Sequence, residues 1–198
     1  MSRFKTDPDC IRQREYVNIP AWHEAGYLGE GLTIFCDDTK KDNHNVLVAD
    51  IVQVILPKAT VYTGSIGYTQ KQGKITSCNI KCNEINETLP FDEFVEKYNI
   101  GLINNSTDGG KAGKILPIAE YMKEKIVKYN LIFCGASGNG GEVTQKYAGA
   151  CIVVSQAVLE NNKVRWGYTS TGSTVDFAMF SGFTAGSSFA SPFLLGMA

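Results

Sequence analysis

Only two histidines, His23 and His44, occur in 198 residues, so a metal centre built on several imidazoles is excluded at once. No apolar run is long enough to span a bilayer, and Met1-Ser2-Arg3-Phe4-Lys5-Thr6-Asp7-Pro8 lacks the apolar core of a secretory leader. On these absences the chain is expected to be cytoplasmic, with no membrane partner. An excess of one charge is also missing: 19 basic residues face 20 acidic ones, net −1, and the lysines are scattered. No nucleic-acid partner is expected of such a surface. Without a leader, the six cysteines (Cys10, Cys36, Cys78, Cys82, Cys134 and Cys151) read as reduced thiols, three of them inside apolar runs. Cys78 and Cys82 have no second Cys/His pair at ligand spacing, so neither a metal nor another cofactor is expected. The Gly-x-x-x-x-Gly-Lys-Ser/Thr phosphate loop and the Gly-x-Ser-x-Gly nucleophile elbow are both absent.

What is present is an ordinary globular composition, 43% hydrophobic and 20% charged, in a length that suits one domain over residues 1–198. Short apolar runs alternate with helical patterns, which predicts an α/β fold: three layers, a mainly parallel sheet with helices on both faces. Strands are expected at Gly31–Cys36, Ala59–Ile66, Gly73–Cys82, Ile100–Asn104, Leu131–Ala136, Ala150–Val154 and Val175–Met179, with a further segment at Lys163–Tyr168. Helices are expected at His44–Leu56, Leu89–Tyr98 and Leu116–Tyr129 and from Ser188 onward. The first 18 or so residues precede this alternation and read as an extension. Asp38, Asn105-Ser106 and Ser137-Gly138-Asn139 follow expected strands, and in open α/β sheets functional groups gather at such carboxyl ends.

A serine hydroxyl needs a base, a group to hold that base, and donors for the oxyanion. Gly186-Ser187-Ser188-Phe189-Ala190-Ser191-Pro192 resembles the Gly-Thr-Ser-Met-Ala-Ser-Pro signature of the subtilisin-like (subtilase) family of serine peptidases. His44-Asn45-Val46-Leu47-Val48-Ala49-Asp50 is similar to the family's His-Gly-Thr-His-Val-Ala-Gly helix start. Ala21-Trp22-His23-Glu24-Ala25-Gly26-Tyr27-Leu28-Gly29 resembles a structural stretch just before the family's first strand, which leaves His44 as the base. Asp37 and Asp38 both offer a carboxylate. Spacing from Gly29 and the Asp38-Thr39 pair match Asp38 to the family, and alternation puts Asp38 on one side with Ile34 and Cys36.

Cys134-Gly135-Ala136-Ser137-Gly138-Asn139-Gly140-Gly141 resembles the segment that carries the family's oxyanion asparagine, here Asn139; by itself it is also an ordinary Gly/Asn turn. Leu102 to Gly109 resembles the strand ending in Asn-x-Ser-x-Gly-Gly. The resemblance implies one substrate-pocket wall at Ser106, Thr107, Asp108 and Gly109 and the other at Ala136, Ser137 and Gly138, with a peptide or protein as substrate. Asp108 stands where the family carries an apolar residue, and an exposed loop carboxylate accounts for it better than a preference for basic or polar side chains. The resemblance, running from about Ile19 to Met197, thus implies a subtilisin-like endopeptidase with Ser188 as nucleophile, His44 as base, Asp38 orienting it and Asn139 in the oxyanion hole. Departures are local. Asp38 and His44 are six residues apart, a span that still reaches about 20 Å. Lys40 replaces a glycine, Asn45-Val46-Leu47 replaces Gly-Thr-His, Asp50 replaces a packed glycine, and the final helix is shorter than the family's. The alternative these changes raise is an inactive subtilase that binds peptides or a partner protein.

Overall fold

Strand β1 (Thr33–Asp37), buried from its second residue onward, divides the molecule into its layers. Ile34 and Cys36 pack into one core while Phe35 packs into the other, so the strand has an apolar face on each side. The computed structural model describes residues 3–38, 43–107, 110, 114–181 and 186–198. Before β1 come three short helices, α1 (Arg3–Thr6), α2 (Pro8–Tyr16) and α3 (Ile19–Glu24). After it follow α4 (His44–Ile55), β2 (Thr60–Lys71), β3 (Lys74–Cys82), β4 (Glu87–Pro90), α5 (Phe91–Tyr98) and β5 (Leu102–Asn105). The chain continues through α6 (Pro117–Tyr129), β6 (Ile132–Ala136), β7 (Ile152–Glu160), β8 (Lys163–Trp166), β9 (Phe177–Phe180) and α7 (Ser187–Leu195).

Among the described residues these strands form one sheet in the order β4-β3-β2-β1-β5-β6-β7-β8, with β9 beside β7. The centre is parallel: β1 pairs β2 and β5, β5 pairs β6, β6 pairs β7 and β7 pairs β9. Both margins are antiparallel, through β2 with β3, β3 with β4, and β7 with β8. The architecture is therefore α/β with a mostly parallel sheet between helical layers. The strand expected at Ala59–Ile66 runs five residues further, because its outer half gains the β3 hairpin partner. The strand expected at Ala150–Val154 extends likewise to Glu160, and the last strand is Phe177–Phe180 rather than Val175–Met179. The short strand β4 has no counterpart among the sequence expectations.

Helices α4 and α7 fill one face together with Phe4, Cys10 and Ile19, so the expected extension contributes core side chains. In α4 the buried residues Val48, Ile51, Val52 and Ile55 recur at helical spacing, each burial contributing roughly 1.5–3 kcal/mol before entropy is counted. Helices α5 and α6 cover the opposite face through Phe91, Phe94, Val95, Ile118 and Met122. Both end on an asparagine in the left-handed region, Asn99 (φ 49) and Asn130 (φ 51), which reverses the chain into β5 and β6. Parallel strands joined by such turns bring the carboxyl ends of β1, β5 and β6 to one edge. Asp37 pairs with Asn105, and Asn105 with Gly135, across adjacent strands. No helix among the described residues is long and apolar enough to cross a membrane.

Candidate active site

His44 opens α4, and its Nδ1 lies 2.6 Å from Oδ2 of Asp38, one residue past the end of β1. The Asp38 side chain is fully buried and the imidazole partly exposed, an arrangement that keeps the pair's geometry while leaving one ring edge accessible. Parity explains the partner: the alternation that sends Ile34 and Cys36 toward α4 sends Asp38 there too. The ring sits against Phe189 of α7 at 4.8 Å between centroids, so His44 lies beside the residue that follows Ser188. His23 takes no part. Its Nε2 meets the Ile55 carbonyl at 2.7 Å, at the other end of α4 and so roughly 16 Å along the helix from His44.

Asp37 points to the opposite face. It accepts hydrogen bonds from the Ile66 N–H at 2.9 Å and from Asn105 Nδ2 at 2.6 Å, and pairs with Lys146 Nζ at 3.4 Å. The Tyr147 hydroxyl also donates to it at 3.4 Å. Burial raises its carboxyl above the usual aspartate range, and Lys146, Ile66 and Asn105 offset this only in part. A carboxylate whose folded value is raised binds its proton more tightly folded than unfolded. Its contribution to stability is therefore full below about pH 4 and is lost as pH rises through the folded value. The stability advantage of wild type over Asp37→Asn, read from urea unfolding at several pH values, is expected to shrink as pH rises from about 4. An advantage that grows with pH would contradict this.

The two adjacent serines of α7 differ in what their hydroxyls do. Ser187 is fully buried; its Oγ accepts the Gly138 N–H at 3.0 Å and donates to the Gly138 carbonyl at 2.9 Å. Ser188 is partly exposed, and among the described residues its Oγ has no hydrogen-bond partner. Its backbone is held firmly. Pro192 lacks the N–H that would bond the Ser188 carbonyl in an unbroken helix, and Ser106 Oγ donates there instead at 2.7 Å. Ser106 in turn accepts from Asn104 Nδ2 at 2.8 Å, and Asn104 Oδ1 accepts from Ser191 Oγ at 2.6 Å. The end of β5 is thereby tied to the first turns of α7 by a fully satisfied buried network.

Asn139 follows β6 and meets the same turn. Its Oδ1 accepts the Ser187 N–H at 2.9 Å, which leaves Nδ2 without a partner among the described residues. Gly186 precedes α7 at φ 121, and a Cβ added there would come 3.2 Å from Nδ2, so a glycine suits this position on both counts. Ala136 and Ser137 are buried, and Ser137 Oγ is turned inward to the Ser170 carbonyl at 3.1 Å. Thr144 links one expected wall to the residue just past the other, its N–H donating to the Ser137 carbonyl at 2.9 Å and its carbonyl accepting the Gly110 N–H at 2.8 Å. Thr107 is partly exposed and accepts from Asn105 Nδ2 at 2.9 Å. Asp108, Gly109 and Lys40 lie outside the described residues.

The structure therefore gathers Asp38 and His44 at one corner, and Ser188 with Asn139 at the start of α7 beside it. Asn104, Ser191 and Lys146 were not singled out from sequence. Asn104 and Ser191 nevertheless lie within the stretches 102–109 and 186–192 that resemble the family's, whereas the only signal at Lys146 is a polar residue beside an apolar run. A polar cleft of about 360 Å³ adjoins Asp38, lined by Asp37, Ser65, Lys81, Asn83, Thr107 and Lys146. An apolar cavity of similar size, lined by Trp22, Leu56 and Leu195 among others, lies at the amino ends of the strands and holds none of these groups. All six cysteines are free and buried, and burial pushes the Cys78 and Cys134 thiols up to about 12, so neither supplies a thiolate. Among the described residues no three metal-ligating side chains come together.

No protein-family model matches the chain, and no curated protein matches its sequence. Among solved structures it is similar to one described as PatG macrocyclase in complex with peptide, with a TM-score of 0.53 over 90% of this chain and 78% of that one. The fold is subtilisin-like. At 8% identity the likeness is one of fold alone. Within the subtilisin-like fold, the carboxyl ends of the central strands and the start of α7 form the corner described above.

Proposed function

We propose that the chain processes peptides as a serine endopeptidase, with Ser188 as nucleophile, His44 as general base, Asp38 orienting the imidazole and Asn139 donating to the oxyanion. The observation that carries this reading is the 2.6 Å Asp38–His44 contact, set beside a partly exposed serine whose hydroxyl is uncommitted. An ionised Asp38 holds the proton on Nδ1 and so presents the Nε2 lone pair. Ser188 Oγ attacks the peptide carbonyl carbon while its proton passes to Nε2. The resulting oxyanion is met by Asn139 Nδ2 and the Ser188 N–H, one of the donors that the first turn of a helix leaves free. Collapse expels the amine with the proton returned by His44, and water releases the acyl group by the same route. The peptide in the PatG structure's description supports a peptide substrate for this fold.

A fluorophosphonate, which traps a serine activated by its base, tests the reading when run beside Ser188→Ala and His44→Ala. Labelling at Ser188 that both substitutions remove supports it, and a folded wild type that stays unlabelled overturns it. One observation favours the second reading, a silent peptide-binding protein: no hydrogen bond joins His44 to Ser188 among the described residues. Such contacts often form only when substrate binds. Asn139→Ala separates contributions within the site. It is expected to lower kcat on the order of 10²–10³-fold with KM little changed, as loss of the corresponding donor does in subtilisin. A change confined to KM would argue for substrate binding alone.

A further inference from the structure

We propose that Gln156, in the middle of β7, is a positioning residue that fixes the start of α7 and thereby the reactivity of Ser188; the claim about reactivity rests on the reading of Ser188 as nucleophile. Gln156 is fully buried, and a buried amide is costly unless both its ends are bonded. Its Oε1 accepts the Gly186 N–H at 2.9 Å, and its Nε2 donates to the Ser181 hydroxyl. These partners bracket the approach to α7: Ser181 follows β9, and Gly186 is the residue before the helix. One side chain from the sheet therefore grips both ends of that approach.

The neighbourhood is shaped around this amide. Gly167, on the segment after β8, would drive a Cβ to within 2.5 Å of Gln156 Oε1, so the absence of a side chain there makes its space. The Gln156 backbone is anchored too, its N–H donating to Thr169 Oγ1 at 3.0 Å and its carbonyl accepting the Gly167 N–H at 3.0 Å. Consecutive N–H groups are then held by two different amides, Gly186 by Gln156 and Ser187 by Asn139. Two such anchors on neighbouring peptides fix how the Gly186–Ser187 unit is rotated. The Ser188 N–H and Oγ, one residue on, follow that rotation. A misplacement of about 1 Å at a reacting group can cost on the order of 10²-fold in rate.

The test compares Gln156→Met, which keeps the volume and loses both bonds, with Gln156→Glu, which keeps the acceptor for Gly186. Met122→Ala, a cavity in the α6 face of the core away from this corner, serves as an equally destabilised control. The rate of fluorophosphonate labelling at Ser188 is measured on folded protein, and Gly186 amide exchange is followed by NMR. Gln156→Met is expected to label about 10²-fold more slowly and to lose Gly186 protection, Gln156→Glu less so, and Met122→Ala neither. A Gln156→Met rate within about twofold of wild type, or a loss matched by Met122→Ala at equal Tm, overturns the proposal. Should Gln156→Met fail to fold, Gln156→Glu and Ser181→Ala each remove one bond and are judged by the same rates. An unlabelled wild type sinks the nucleophile reading instead, and the positioning claim then stands or falls on whether Gly186 protection survives Gln156→Met.

Discussion

Ser188→Ala is expected to abolish peptide hydrolysis and covalent labelling while leaving the fold intact, with a fall in kcat on the order of 10⁶-fold, the size of loss seen in subtilisin when its nucleophile is removed. The fold survives because the Ser188 contact that ties β5 to α7 runs through its backbone carbonyl, which alanine keeps. Ser187→Ala forms the contrasting case. Its hydroxyl is committed to Gly138, so that substitution should lower stability while Ser188 remains the labelled residue. Mass spectrometry of the adduct checks both. An adduct that persists in Ser188→Ala, or one carried by Ser187, would show that the wrong hydroxyl has been assigned.

Asp38→Asn should cost about 10⁴-fold in kcat with a near-normal Tm. The carboxylate at 2.6 Å holds the Nδ1 proton, whereas an asparagine amide can donate to Nδ1 and move the proton to Nε2, where it blocks proton acceptance from Ser188. Asp37→Asn supplies the opposite pattern: it alters the buried contacts to Asn105, Ile66 and Lys146, changes stability with pH, and leaves the imidazole tautomer alone. Activity and melting temperature measured on the two variants side by side decide the matter. If Asp37→Asn abolishes the proposed activity and Asp38→Asn does not, the orienting role belongs to the other face of β1.

A good part of this corner is readable along the chain because its causes are local. Alternation along β1 separates Asp37 from Asp38 with no knowledge of what either touches. The helical spacing of Val48, Ile51, Val52 and Ile55 marks α4, so His44 is at its first turn. Apolar runs punctuated by polar residues at their ends put Asp38, Ser106 and Asn139 at one edge of a parallel sheet. The antiparallel margins were harder to read. Beyond Gly64 the outer half of β2 is mostly exposed and polar, with only Ile66 buried, and it is a strand because β3 folds back on it.

The sequence by itself determined the layers, the carboxyl ends of β1, β5 and β6 to within a residue, and the residue types available for chemistry, since those follow from periodicity over a few residues. Only the tertiary structure decided which groups are spent and which are left free. Ser187 and Ser188 are neighbours of the same type, and they differ because Gly138, 49 residues away in sequence, takes one hydroxyl. Ser106 looks like a pocket wall in the sequence, but its hydroxyl supports the Ser188 carbonyl, 82 residues further along, that Pro192 leaves without a donor. Gln156 carries no local signal at all. Its role comes from Ser181 and Gly186, brought to either end of one buried amide by the return of the chain through β9. A hydrogen bond between distant segments depends on where the folded backbone places both partners, and the burial that makes each of these bonds matter exists only after folding.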